Sequence, residues 1–225
     1  PRSTLFPYTT LFRSLHIRAL AFDGDGRLWA GTDDQGLRVR EPTGSVRMLK
    51  ATPGEARSIG HDAIRAIVID RSGLVWVGTR GGGAAVHNPQ ARAIRLMEAG
   101  IELPPFEARQ LLQARNGELW LGTDGGGLVR LRQGPDGLTL KPSKVYRNQP
   151  GDDTSLPSNK VISLAEDYDG TIWVGMDGSG LARLDPSTGR FERYVHDPAR
   201  PGSLGGDTVW ALLIYSAGTL WAGLE

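Results

Sequence analysis

The chain has 225 residues, with 26 Lys and Arg against 25 Asp and Glu; that balance, without any block of like charge, excludes a polybasic surface for nucleic acid or membrane. There is no cysteine, which excludes disulfides and thiolate metal sites, and the longest apolar run, Val209 to Tyr215, is far short of the ~20 residues a membrane span needs. Thirty-one glycines and six tryptophans point to a turn-rich all-β chain, because each interior glycine costs a helix about 1 kcal/mol relative to alanine.

The first fourteen residues, "PRSTLFPYTTLFRS", contain no acid, repeat Thr-Leu-Phe and match nothing downstream. They read as a non-native segment of the kind translated sequencing adapters leave, or else as a linker, and are set aside from the fold.

From residue 15 onward one pattern recurs. "GRLWAGTDDQGLRVR" begins at Gly26, "GLVWVGTRGGGAAVH" at Gly73, "GELWLGTDGGGLVRL" at Gly117, "GTIWVGMDGSGLARL" at Gly170 and "GTLWAGLE" at Gly218. The tryptophans Trp29, Trp76, Trp120, Trp173 and Trp221 are 47, 44, 53 and 48 residues apart. Two residues after each stands a glycine: Gly31, Gly78, Gly122, Gly175 and Gly223. Nine before each stands a large aliphatic: Leu20, Ile67, Leu111, Leu164 and Leu212.

Each unit reads as four short strands. In the second, "IRAIVID" and "LVWVGT" flank a turn, "RGGG" is the next turn, and "AAVHNP" and "AIRLME" follow. Four strands at this period are the size of a propeller blade. The expected fold is an all-β propeller of four-stranded antiparallel blades over 15–62, 63–106, 107–159 and 160–207, with a partial fifth over 208–225. Strand alternation predicts Trp29, Trp76, Trp120 and Trp173 on one blade face and Leu28, Val75, Leu119 and Ile172 on the other, both buried between blades. The glycine runs lead into another strand rather than into a helix, so they read as turns and not as a phosphate cradle.

These repeats resemble the two-component regulator propeller: glycine, an apolar residue, Trp, an apolar residue, Gly-Thr, then a glycine-rich turn before "L-x-R-L". A second family-like element, Ser-[Ile/Leu]-x-x-[Asp/Asn]-x-[Ile/Val], stands at Ser58, Ser155 and Ser203; the unit at Leu111 lacks it. The resemblance implies the periplasmic or extracytoplasmic sensor module of a membrane-bound bacterial signalling protein. Its output, a histidine kinase or diguanylate cyclase, would lie elsewhere in the same polypeptide. It also implies seven blades, so that these units form an arc of a larger ring; closure of the fifth unit on the first is the alternative. No catalysis and no cofactor is implied for the propeller itself. The rival functions are a protein-docking scaffold and a propeller lyase, which would need a histidine and an acid near the channel.

Two features bear on chemistry. "FDGDGRLW" and "EDYDGTIW" contain the Asp-x-Asp-Gly of calcium loops but lack the later bidentate acid, and read as Asx-type turns. Their Asp-x-x-Gly-x-x-Trp spacing also resembles the structural aspartate boxes of sialidases. The histidines His16, His61, His87 and His196 have no metal-ligand spacing.

Loops between second and third strands carry Asp33, Asp34, Gln35, Arg80, Asp124 and Asp177; the Ser-Leu elements add Asp62, Asn159 and Asp207. In a propeller these loops share one end of the channel. They are the candidate ligand-binding residues, for a small polar ligand or glycan. The alternative is that each caps its own turn.

Overall fold

The computed structural model describes residues 15–55, 57–89, 93–96, 107–134, 140–215 and 218–225, with no helix among them. The segment 1–14 and the ends of several connections lie outside the described residues.

Among the described residues eighteen strands form five antiparallel sheets. The first is β1 (Ile17–Phe22), β2 (Leu28–Thr32), β3 (Leu37–Arg40) and β4 (Val46–Leu49), paired in chain order. The second is β5 (Ile64–Ile69), β6 (Val75–Thr79), β7 (Ala84–Asn88) and β8 (Ala93–Leu96). The third is β9 (Glu107–Gln113), β10 (Leu119–Asp124), β11 (Leu128–Gln133) and β12 (Leu140–Tyr146). The fourth is β13 (Val161–Glu166), β14 (Ile172–Met176), β15 (Leu181–Asp185) and β16 (Arg190–Tyr194). β17 (Val209–Tyr215) and β18 (Thr219–Leu224) form a two-stranded sheet. First strands of successive sheets neighbour one another, β1 with β5, β5 with β9, β9 with β13 and β13 with β17. They are the inner strands of a propeller arc.

The core lies between blades rather than within them. Trp29 packs on Ile64, Val75, Val77 and Ala85 of the second sheet. Trp76 packs likewise on Leu111, Leu119, Leu121 and Leu131 of the third, and Trp120 on Leu164, Ile172, Val174 and Leu184 of the fourth. Each tryptophan therefore faces the following blade.

The glycine two residues after the tryptophan has a steric reason in the four complete units, and not at Gly223, which no following blade meets among the described residues. A Cβ on Gly78 would meet Ala108 at 2.8 Å, and one on Gly122 would meet Val161 at 2.7 Å. The inner strand of the following blade leans directly on the bare backbone. The glycines five residues further on have a different reason, shown by Gly127, whose φ of 84° is the left-handed turn conformation.

Burial follows this pairing of blades and corrects the expectation that all eight alternating residues are enclosed. Trp29, Trp76 and Trp120 are buried, as are Val75, Leu119 and Ile172, but Trp173 and Leu28 are half-buried. Leu28 lies on the flank with no preceding blade, and Trp173 faces a sheet of two strands. At the two flanks Leu20, Phe22, Leu213, Tyr215 and Trp221 are exposed. Trp221 and the β1 flank do not cover each other, so the ring alternative does not hold and the blades form an open arc.

Candidate functional site

Each inner strand carries one β-bulge at the same repeat position. Ile17 and Ala19 pair with Thr32 and Gly31, so Arg18 is passed over. The pairing likewise skips Arg65 between Ile64 and Ala66, and Arg109 between Ala108 and Gln110. It skips Ile162 between Val161 and Ser163, and Trp210 between Val209 and Ala211. Each skipped residue stands eleven before its tryptophan. A bulge bends the strand and re-aims its extra side chain. Here it turns that side chain out of the blade–blade core and into the space enclosed by the inner strands.

A cavity of about 370 Å³ results, lined by Arg18, Arg65, Arg109, Gln110, Ile162 and Trp210. All five bulge residues line it. Gln110 also ties two blades together: its side-chain oxygen accepts from Leu164 N at 2.7 Å, and its amide donates to Leu164 O at 3.3 Å. A larger hollow of about 680 Å³ lies beside Trp173, Tyr194 and Leu220. It opens where the fourth sheet meets the two-stranded sheet, and is lined largely by the loop 195–204.

The acidic rim residues clamp the arginines. Asp33 pairs with Arg18 at 2.9 Å and also with Arg65, so one carboxylate bridges two blades. The hydrogen bonds from Arg18 and Arg65 hold its carboxyl well below the usual carboxylate range. Arg65 is bound on its other side by Glu107 at 2.7 Å, and Asp124 pairs with Arg109. In the second unit Arg80 stands where the first, third and fourth have Asp33, Asp124 and Asp177. Glu107, across the blade junction, supplies the missing acid, 3.6 Å from Arg80. Asp177 faces Lys160 at 3.6 Å.

The other sequence candidates are used differently. Asp62, Asn159 and Asp207 each accept, through a side-chain oxygen, from a backbone N–H eleven residues upstream: Ala51 at 2.7 Å, Asn148 at 2.8 Å and His196 at 2.7 Å. Ser58, Ser155 and Ser203 add bonds to Thr52, Gln149 and Asp197. The Ser-Leu element is thus a latch that folds the connection between blades. Gln35 accepts from Arg38 at 3.0 Å, and Asp34 is exposed. The structure brings Asp33 and Asp124 to the arginine row, Arg80 and Asp177 to its edge, and the three latch residues to the connections.

At the opposite end of the blades, Asp23, Asp70 and Asp167 accept from the Nε1 of Trp29, Trp76 and Trp173 at 2.9, 2.7 and 3.2 Å. The other oxygen of Asp23 and Asp70 accepts backbone N–H groups of its own turn. The Asp-x-Asp-Gly segments are therefore turns whose first acid anchors the blade tryptophan. None of the four histidines lines the inner cavity. His87 lies against Trp29, His61 caps Ala63 N at 2.9 Å, and His196 Nδ1 is 2.6 Å from Leu204 O.

Three stretches, 12–34, 58–81 and 155–178, match the two-component regulator propeller model. Over those stretches its repeats are similar to two-component regulator propeller repeats. The matched stretches leave out the copy at Gly117, which lacks the Ser-Leu latch yet forms the same four-stranded sheet. Among solved structures, this propeller resembles the extracellular domains of two hybrid two-component systems of B. thetaiotaomicron. BT4673 is 20% identical with a TM-score of 0.72, and BT3049 is 22% identical with a TM-score of 0.71. Each match covers 93% of this chain and 26% of the other, so the propeller spans about a quarter of their length. Virginiamycin B lyase of Staphylococcus aureus is also similar, at 13% identity and a TM-score of 0.66, with 92% of this chain and 62% of that one covered. No curated protein matches.

Position −11 was in plain view in the repeat alignment, as Arg, Arg, Arg, Ile and Trp. Nothing in the sequence pattern marks it as skipped by the strand pairing, so the loop residues indicate the rim and not the cavity wall.

Proposed function

We propose that this chain is a ligand-sensing module of a membrane-bound bacterial signalling protein, outside the cytoplasm and without chemistry of its own. The observation that carries the reading is the bulge that turns Arg18, Arg65, Arg109, Ile162 and Trp210 into one cavity. A scaffold has no need of it, because a regular strand would keep those side chains with the blade packing. The lining groups bind rather than react: guanidinium, amide, aliphatic and indole side chains offer no base at neutral pH. In the similar lyase, a histidine-to-alanine protein is described as catalytically inactive, whereas no histidine lines this cavity. The extracellular domains of the two B. thetaiotaomicron systems support the extracytoplasmic reading, and the output would belong to the rest of the polypeptide. A docking scaffold is the second reading, favoured by the exposed apolar flanks at Leu20, Phe22, Leu213 and Trp221.

Melting of the chain against sugars, organic acids, amino acids and short peptides tests the proposal, with tryptophan fluorescence followed in parallel. A compound that raises the melting temperature, is recovered unchanged and loses its effect in Trp210→Ala is the expected result. Consumption of the compound, or an effect indifferent to Trp210, contradicts it.

A further inference from the structure

We infer that the ligand of the inner cavity carries a carboxylate on a six-membered ring. This rests on the sensing reading above and adds the chemical class.

The cavity is asymmetric. Arg18, Arg65 and Arg109 stand on three successive inner strands, and Ile162 and Trp210 on the next two. One wall is cationic and the other is apolar and flat. Arg65, with its side chain 14% exposed, is bound on both sides by Asp33 and Glu107. It is a structural member of the row. The side chains of Arg18 and Arg109 are 54% and 37% exposed. Each hydrogen-bonds one acid through Nη2. A guanidinium has five N–H donors in a rigid fork, so donors remain on two side chains already aimed by Asp33 and Asp124.

The acids also decide the charge of the ligand. Three acids, Asp33, Glu107 and Asp124, stand against four guanidiniums, those of Arg18, Arg65 and Arg109 and that of Arg80 at the edge. The row therefore has an excess of one positive charge, which a single carboxylate balances and a dianion such as phosphate overshoots. A single carboxylate shares the remaining donors at less repulsion, and its two oxygens match the fork.

The opposite wall selects the body of the ligand. Trp210 is 55% exposed although it lies on an inner strand and lines the cavity. An open indole face takes a flat ring, or the C–H face of a sugar, while its edge stays wet. The volume, about 370 Å³, has room for a ring compound. An aromatic acid and a sugar acid share this chemistry.

Titration of the chain with glucuronate, benzoate, glucose and inorganic phosphate separates the sources, with heat and tryptophan fluorescence as readouts. One of the two carboxylates should bind at least tenfold tighter than glucose and phosphate, and more weakly as salt is added. Glucuronate as the tighter ligand identifies a sugar acid, and benzoate an aromatic acid. Arg18→Gln and Trp210→Ala, both at exposed side chains, should each weaken binding at least tenfold. Trp221→Ala, an exposed tryptophan that does not line this cavity, should not. Equal or tighter binding of glucose or phosphate that still needs Trp210 overturns the carboxylate class and leaves the sensing reading standing. Failure of both carboxylates to bind at millimolar concentration overturns the class as well. Carboxylate binding that ignores both Arg18 and Trp210 overturns both readings.

Discussion

Val161 Cγ1 lies 2.7 Å from where a Cβ on Gly122 would stand. The two residues belong to neighbouring blades, so the spacing between blades is set by a missing side chain. Gly122→Ala must push the β13 strand away or distort β10, an overpacking change that costs about 1–3 kcal/mol. Gly24→Ala is the control, since nothing lies within 4 Å of its added methyl and its backbone is not left-handed. Chemical denaturation should show a lowered midpoint for the first and an unchanged one for the second. Equal midpoints would mean that the blades do not pack as described.

Trp120 and Trp221 occupy the same repeat position with opposite burial, 1% and 62% exposed. Trp120→Ala removes a core aromatic between two blades and should cost about 3–5 kcal/mol. Trp221→Ala should stay within about 0.5 kcal/mol, as exposed substitutions do. Urea unfolding of the two variants measures the difference, and similar losses would contradict the open flank.

Trp120 lacks one bond that Trp29, Trp76 and Trp173 make. Its Nε1 is buried without a partner, because Ala114 stands where the turns before Trp29, Trp76 and Trp173 have Asp23, Asp70 and Asp167. The backbone of that turn is the same: Ala114 N donates to Glu118 O, as Asp70 N does to Leu74 O. Ala114→Asp should supply the acceptor and raise stability by about 1 kcal/mol. Thermal melting reads the gain; a loss would show that the third turn cannot seat the carboxylate.

The Arg18–Asp33–Arg65 bridge sets an acid limit. The two arginine hydrogen bonds depress the Asp33 carboxyl in the folded chain. The unfolded carboxyl titrates near ~3.9. A depressed folded value means the bridge contributes fully above that range and is lost as pH falls through the folded value. Asp33→Asn should therefore be less stable than the parent at neutral pH, and the gap should close in strong acid. Denaturation midpoints of both proteins across the acid range check this; a gap independent of pH would contradict it.

The fold was legible because its signals are short and local. Trp-x-Gly marks the second strand and the glycine on which the next blade leans, and Asp-x-x-Gly-x-x-Trp marks the turn that anchors the indole. The exposure of Leu28 and Trp173 was not legible, since burial of each depends on a neighbouring blade rather than on its own strand. The binding wall was hidden for a different reason. Plain alternation puts Arg18 and Leu20 on one face, and only the bulge after Ile17 separates them. Loop acids such as Asp33 and Asp124 stand out as polar residues, but their arginine partners do not: Arg65 lies 32 residues from Asp33 on the next blade, and Arg109 lies 15 residues from Asp124 on the adjacent strand of the same blade.

The inner cavity is where this propeller should meet its ligand, and a crystal structure of the chain bound to the tightest ligand from the titrations decides the matter. The ligand should lie between Arg18, Arg109 and Trp210, at the end of the blades that carries Asp33 and Asp124. Ligand found at the opposite end, against the Asp23, Asp70 and Asp167 turns, or on the outer flanks, would contradict it.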